Sequence, residues 1–234
     1  MNAHAAISTS LVGIGLYTPA EAGWLLQVAP GKISRWLRGH EANSRSYAAL
    51  WRAQADMGED GLFLGFRDLM EVRVAAAFIL RGLSPQRVRR AIDLAREVID
   101  DEHPLSTTRF RTDGRTVFLQ VIEESGETRL LDLFKGQFAF HAIVERSLRD
   151  ADYDETGVPT RWWPLGRAKS IVVDPQRSFG RPIEAETSVP VEVLANAAEA
   201  EGSAEAAARV WDVPVRAVRR AVSFRSAMDA RQAA

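Results

Sequence analysis

The segment YTPAEAGWLLQVAPGKISRWLRG, residues 17–39, decides how the rest of the chain is read. Thr18 offers an N-cap hydroxyl, Pro19 suits the first helical position, and Glu21 stands three residues after the cap. Hydroxyl and carboxylate can then each satisfy an orphan N–H of one helix. Ala22, Leu25 and Leu26 give that helix an apolar side; VAPG interrupts it, and Ile33, Trp36 and Leu37 resume an apolar stripe at helical spacing. The second helix carries its cations, Lys32, Arg35 and Arg38, off that stripe. Two short helices about a sharp break have the spacing of a helix-turn-helix.

The spacing recurs. SAEAAARVWDVPVRAVRRAVSF, residues 203–224, aligns with the first segment at a constant offset of 185, without a gap. Ser203 answers to Thr18 as a cap, Ala207 to Ala22 as a small residue, Val213 to Val28 in the turn, and Val218 to Ile33. The exposed face of the second helix would carry Gly31, Lys32, Ser34, Arg35 and Arg38 in the first copy, and Arg216, Arg219 and Arg220 in the second. Arginine and lysine neutralise phosphates, and an arginine fork can grip a guanine edge. Each copy has a plainer alternative, a helical hairpin packed on a core with solvated charges outside. The second has a further one, a dimer or partner surface.

Totals bound the options. At 234 residues the chain holds one large domain or two small ones, with 46% hydrophobic residues and a net charge of −1. Near-neutrality argues against indiscriminate nucleic-acid binding, yet permits a local basic face, because phosphates respond to charge within about a Debye length, on the order of 8–10 Å. With no cysteine there are no disulfides, thiolate metal sites or cysteine nucleophiles. No apolar run approaches a membrane span and the start lacks a basic n-region, so a cytoplasmic location is expected. The four histidines are scattered, no phosphate-binding loop or nucleophile elbow appears, and no enzyme, metal or cofactor is expected.

Between the two copies the periodicity changes twice. HEANSRSYAALWRAQADMGEDG reads as a polar connector, FRDLMEVRVAAAFILRG and PQRVRRAIDLAREVIDD as a helical pair. TTRFRTDGRTVFLQVI reads as two alternating runs about Asp113-Gly114, a hairpin extended by TRLLDLF into a three-stranded meander. In that hairpin Arg109 and Arg111 would sit where a wing touches flanking DNA backbone. A helix over 137–149, a turn-rich boundary, a strand at SIVVDP, an extended GRPIEAETSVP, and helices at 191–201, 203–211 and 214–224 complete the chain, with a frayed end. The fold class is mainly α with a small antiparallel β meander, α+β, with two helix-turn-helix-like units. Trp162 and Trp163 in TRWWPLGR suit a partner interface as anchors, or cover the core between domains.

With these segments placed, the first 90 or so residues resemble the MerR-like winged helix family. SIVVDPQRSFGRPIEAETSVPVEVL and the helices after it resemble the small C-terminal domain of VapB-type antitoxins, in which a strand and a DP…G.P.I motif precede three helices. Glu186-Thr187 stand where that family usually has glycine-threonine. The resemblance implies a domain over 1–155, a linker over 156–170 and an antitoxin domain over 171–234. It also implies an antitoxin that inhibits a PIN-like ribonuclease toxin and represses the shared operon through operator DNA; a homodimer is expected because one helix in one major groove reads only a few base pairs. The alternative is a stand-alone MerR-like regulator sensing a small molecule.

Overall fold

The computed structural model describes residues 13–42, 45–56, 61–126 and 137–232. Helix α1 (Pro19–Leu26) opens on the expected capping box: Thr18 Oγ1 accepts from Glu21 N at 3.2 Å, and Thr18 N donates to Glu21 Oε2 at 2.8 Å. Helix α2 (Pro30–Arg38) follows after a tight turn and buries Ile33, Trp36 and Leu37. Gly23 permits that turn, since a Cβ there would stand 2.6 Å from the Val28 carbonyl oxygen.

The expected polar connector is structured. Strands β1 (His40–Ala42) and β2 (Arg45–Tyr47) form an antiparallel hairpin directly after α2. Gly39 makes the join, with φ 73° and a Cβ position only 2.4 Å from Tyr47 O. Leu50 and Trp51 then enter the core, and β3 (Ala55–Asp56) pairs with β4 (Leu62–Phe63). Helix α3 (Phe66–Leu80) is buried on most of its surface, whereas α4 (Pro85–Ile99) buries the expected stripe of Val88, Ala91, Ile92, Ala95 and Ile99.

Residues 110–125 are not a hairpin but helix α5 (Phe110–Ser125). Phe110, Val117, Phe118, Val121 and Ile122 fall at helical spacing and are buried. Phe110, Phe118 and Phe140 gather around Phe78, with centroid distances of 6.3, 4.1 and 5.5 Å. The Asp-Gly pair misled because Gly114 serves packing: a Cβ there would lie 2.4 Å from the Phe110 ring. The strand expected at TRLLDLF lies outside the described residues. Helix α6 (Gln137–Leu148) stands where a helix was expected.

The meander exists, further along. Strands β5 (Ala151–Tyr153), β6 (Pro159–Trp162), β7 (Ile171–Val173) and β8 (Pro182–Glu184) form an antiparallel sheet in sequential order. Helices α7 (Val191–Ala200), α8 (Ala204–Val210) and α9 (Val215–Gln232) form a trihelical unit beside it, around Leu194, Ala207, Val218 and Phe224. Helix α9 does not fray after Phe224, because Met228, one turn on, is also buried. The chain is also held just before α1: Leu16 N donates to Phe179 O and Phe66 N to Ile14 O, at 2.9 and 2.7 Å.

Gly114→Ala gains roughly 1 kcal/mol of helix propensity but drives a methyl into Phe110, an overpacking cost of typically 1–3 kcal/mol. Urea denaturation of the variant is expected to show net destabilisation; a variant as stable as the parent would mean that the ring moves aside freely.

Candidate nucleic-acid face and its support

Helix α2 presents Gly31, Lys32, Arg35 and Arg38 to solvent on the side away from Ile33, Trp36 and Leu37. None of the three cations has a hydrogen-bonding or ionic partner among the described residues. Ser34 is half-buried, its hydroxyl donating back to Pro30 O at 3.1 Å. Thr18 is committed to the cap; besides accepting from Glu21 N, its Oγ1 donates to Glu21 Oε2 at 2.9 Å. The hairpin extends this face. His40 and Tyr47 stack at 4.8 Å across its open end. A shallow cleft of about 300 Å³ runs between α2, the hairpin and α4, lined by Lys32, Arg35, His40, Tyr47 and Arg89.

The strand leaving the hairpin is tied down at both sides. Leu50 N donates to Trp36 O at 2.6 Å. Arg89 Nε donates to Ala49 O at 2.7 Å, and its Nη2 to Ala48 O. Below it Asp68, fully buried, accepts from Trp51 Nε1 at 2.9 Å, Gln54 N at 2.8 Å and Gly65 N at 2.9 Å, with His103 Nε2 at 3.0 Å. One turn along α3, Glu71 is equally buried and accepts from Leu105 N and Ser106 N at 3.2 and 2.9 Å. Burial outweighs these donors and the nearby His103 and Arg67, and pushes the Glu71 carboxyl from 4.5 up to about 7.

The other predicted residues are placed differently. Arg109 caps α5 and Arg111 rides on it, neither on a wing: Arg109 Nη1 donates to Ile99 O, and Arg111 forms a two-pronged pair with Glu145 at 2.9 and 2.7 Å. On α9, Arg216 forks onto Glu186, Arg219 pairs with Glu205, and Arg220 Nη1 meets Glu184 Oε1 at 2.8 Å and Glu186 Oε2 at 3.3 Å. Glu184 is fully buried, and its other oxygen accepts from the Glu186 and Thr187 amides and the Thr187 hydroxyl. Trp162 is a core residue, 3% exposed, with the Arg73 guanidinium 4.7 Å from its ring centre. Trp163 is half-buried beneath Arg167, its Nε1 donating to Asp152 Oδ2 at 3.3 Å. The structure thus leaves α2's cations unpaired and gives the predicted arginines of α5 and α9 protein partners.

Sequence reasoning missed the hairpin and Asp68. Its available signal was Gly39 followed by short polar runs on either side of Asn43-Ser44, a turn pair weaker than asparagine-glycine. Among the described residues no helix is long and apolar enough to cross a membrane, and no group of three or more acidic, histidine or cysteine side chains could hold a metal ion.

No protein-family model matches the chain. It is similar to a protein of Mycobacterium tuberculosis (strain ATCC 25618 / H37Rv) named "Putative antitoxin VapB45", 29% identical over 186 residues, or 73% of this chain and 77% of that one. The X-ray crystal structure of Rv2018 from Mycobacterium tuberculosis shares the fold, with a TM-score of 0.65 at 24% identity, over 90% of this chain and 97% of that one.

The Glu71 carboxyl holds its proton to about pH 7 when folded but ionises near 4.5 when unfolded. The neutral form favours folding, so stability from this group is full below about 4.5 and is lost as pH rises through about 7. Stability curves of Glu71→Gln are expected to lack that decline, on a baseline lowered by roughly 1–3 kcal/mol for the lost acceptor. An unchanged decline would assign it to another group.

Proposed function

We propose that this chain is the antitoxin of a toxin–antitoxin pair. It binds and inhibits a PIN-like ribonuclease toxin and represses its own operon by laying α2 into the major groove of operator DNA. The observation that carries the antitoxin role is the likeness to the relative named as an antitoxin, which spans about three quarters of both chains. The DNA-binding half draws support from α2: an exposed helical face with three unpaired cations, flanked by a hairpin positioned as a wing. Residues 1–155 form the DNA-binding part of this proposal and 171–234 the antitoxin domain, joined through 156–170, whose strand β6 lies between β5 and β7 in one sheet. The paired arginines of α9 weigh toward the α2 face as the one that meets DNA, because a guanidinium held by a carboxylate must break that pair before it reaches a phosphate.

One α2 helix covers few base pairs, so two copies on half-sites about 34 Å apart are proposed. Light scattering on and off DNA is expected to give a homodimer, and a monomer under both conditions contradicts it. Arg35→Ala is expected to weaken operator binding by roughly 1–3 kcal/mol if the guanidinium meets a base. Lys32→Ala is expected instead to flatten the salt dependence by about one unit of slope. Fluorescence anisotropy titrations at several salt concentrations read both, and wild-type behaviour in both variants would remove α2 from the interface. Co-expression with the neighbouring gene product and size exclusion test toxin binding, where separate elution counts against the antitoxin role.

A further inference from the structure

A cavity of about 280 Å³ lies at the seam between the N-terminal helix α1 and the C-terminal trihelical unit. The seam itself is closely made. Trp24 packs against both hydrophobic cores, meets the Phe224 ring edge-on at 5.9 Å, and donates its indole N–H to Asp229 Oδ1 at 2.8 Å. Gln27 reaches Met228 O, and the Tyr17 hydroxyl donates to Gly180 O at 2.9 Å. Beside these contacts the chain leaves room.

The apolar walls of the cavity are Trp24 and Leu25 on one side and Pro182, Pro190 and Val191 on the other. Its charged lining divides into groups already engaged and groups left over. Glu21 is held in the capping box, and Arg225 is taken by Asn196 Oδ1 and Glu199. Arg181 and Glu192, both exposed at the cavity, have no side-chain partner among the described residues, and Asp229 has spent one carboxylate oxygen, on Trp24. One free cation, one free anion and a half-used carboxylate surround an apolar hollow of side-chain size.

From this complementarity we infer that the cavity binds a free apolar α-amino acid. The ligand carboxylate meets the Arg181 guanidinium, the ammonium meets Glu192 and the remaining Asp229 oxygen, and the side chain rests between Trp24 and Val191. A few convergent polar groups over an apolar lining is the usual make-up of a small-molecule site. A bare amine would leave Arg181 unanswered and a bare acid would leave two carboxylates facing it, so the zwitterion is selected over both. The ligand would touch α1, β8, α7 and α9 together, and so would bridge the two cores that Trp24 already joins. The site goes beyond the proposed antitoxin and DNA-binding roles and does not depend on either.

Isothermal titration calorimetry of the full chain with L-phenylalanine, L-leucine, 2-phenylethylamine and 3-phenylpropionate tests it. At least one amino acid is expected to bind with a Kd of about 1 mM or tighter, roughly tenfold better than either phenyl analogue. Arg181→Ala should weaken amino-acid binding about tenfold while leaving the amine unaffected, and Glu192→Gln should weaken both the amino acid and the amine. Both side chains are exposed, and thermal unfolding of the variants should match the parent. Absence of heat with both amino acids at 10-fold that concentration, an analogue binding as tightly as L-phenylalanine, or full binding by Arg181→Ala would each overturn the assignment.

Discussion

The carboxylate of Asp68 is the constraint on which the N-terminal half depends. A buried carboxylate without donors would cost far more than a domain can spare. Asp68 instead gathers donors from three separate stretches: Trp51 and Gln54 after the hairpin, Gly65 at the start of α3, and His103 beyond the end of α4. Fixing those stretches to one point fixes the exit of the β1–β2 hairpin. Through Leu50 N to Trp36 O and Arg89 to the Ala48 and Ala49 carbonyls, it fixes the hairpin against α2 as well. The cationic face is therefore held by hydrogen bonds that do not use its own side chains, which leaves Lys32, Arg35 and Arg38 free.

A second constraint joins the two ends of the chain. Trp24 stands on α1 with apolar neighbours in both cores and its polar tip on Asp229, 205 residues away. Tyr17, two residues before α1, is 2% exposed and bonded to Gly180, and this burial raises its hydroxyl pKa strongly. The same short helix that sets the angle of α2 is thus clamped to the C-terminal unit. Any event that shifts α9 or β8 acts on α1 through packed rings and two hydrogen bonds, one of them buried, without needing a flexible path between them.

Much of the architecture could be read from the sequence where the signal was local. The Thr18 cap, the α4 stripe and the helices of the C-terminal unit depend on residues within one or two turns of each other, and their bounds fell within a few residues except at the end of α9, which runs eight residues past Phe224. What failed was set by distant partners. Asp113-Gly114 is a turn signal in isolation, but the glycine exists for the Phe110 ring, and α5 forms because Phe110 and Phe118 meet Phe78 and Phe140 from other helices. The hairpin after α2 has short, polar strands whose alternation was too weak to see. For the candidate site, exposure of Lys32, Arg35 and Arg38 followed from the α2 stripe, whereas the pairing of Arg111, Arg216, Arg219 and Arg220 required knowing which carboxylates fold beside them.

That pairing explains how a chain with 30 basic and 31 acidic residues can keep a concentrated cation. Glu145 comes from α6, Glu184 and Glu186 from β8 and the residues following it, and Glu205 from α8; each reaches an arginine on a neighbouring element. Beside α2, Glu21 is consumed by the Thr18 cap, and Glu41 on β1, three residues past Arg38, makes no ion pair with Lys32, Arg35 or Arg38. Charges nearer than about 8–10 Å dominate what a phosphate feels at physiological salt, so the net charge of the molecule matters less than where its carboxylates are spent. On α9 they neutralise; on α2 no carboxylate among the described residues pairs with the three cations, and the positive face persists.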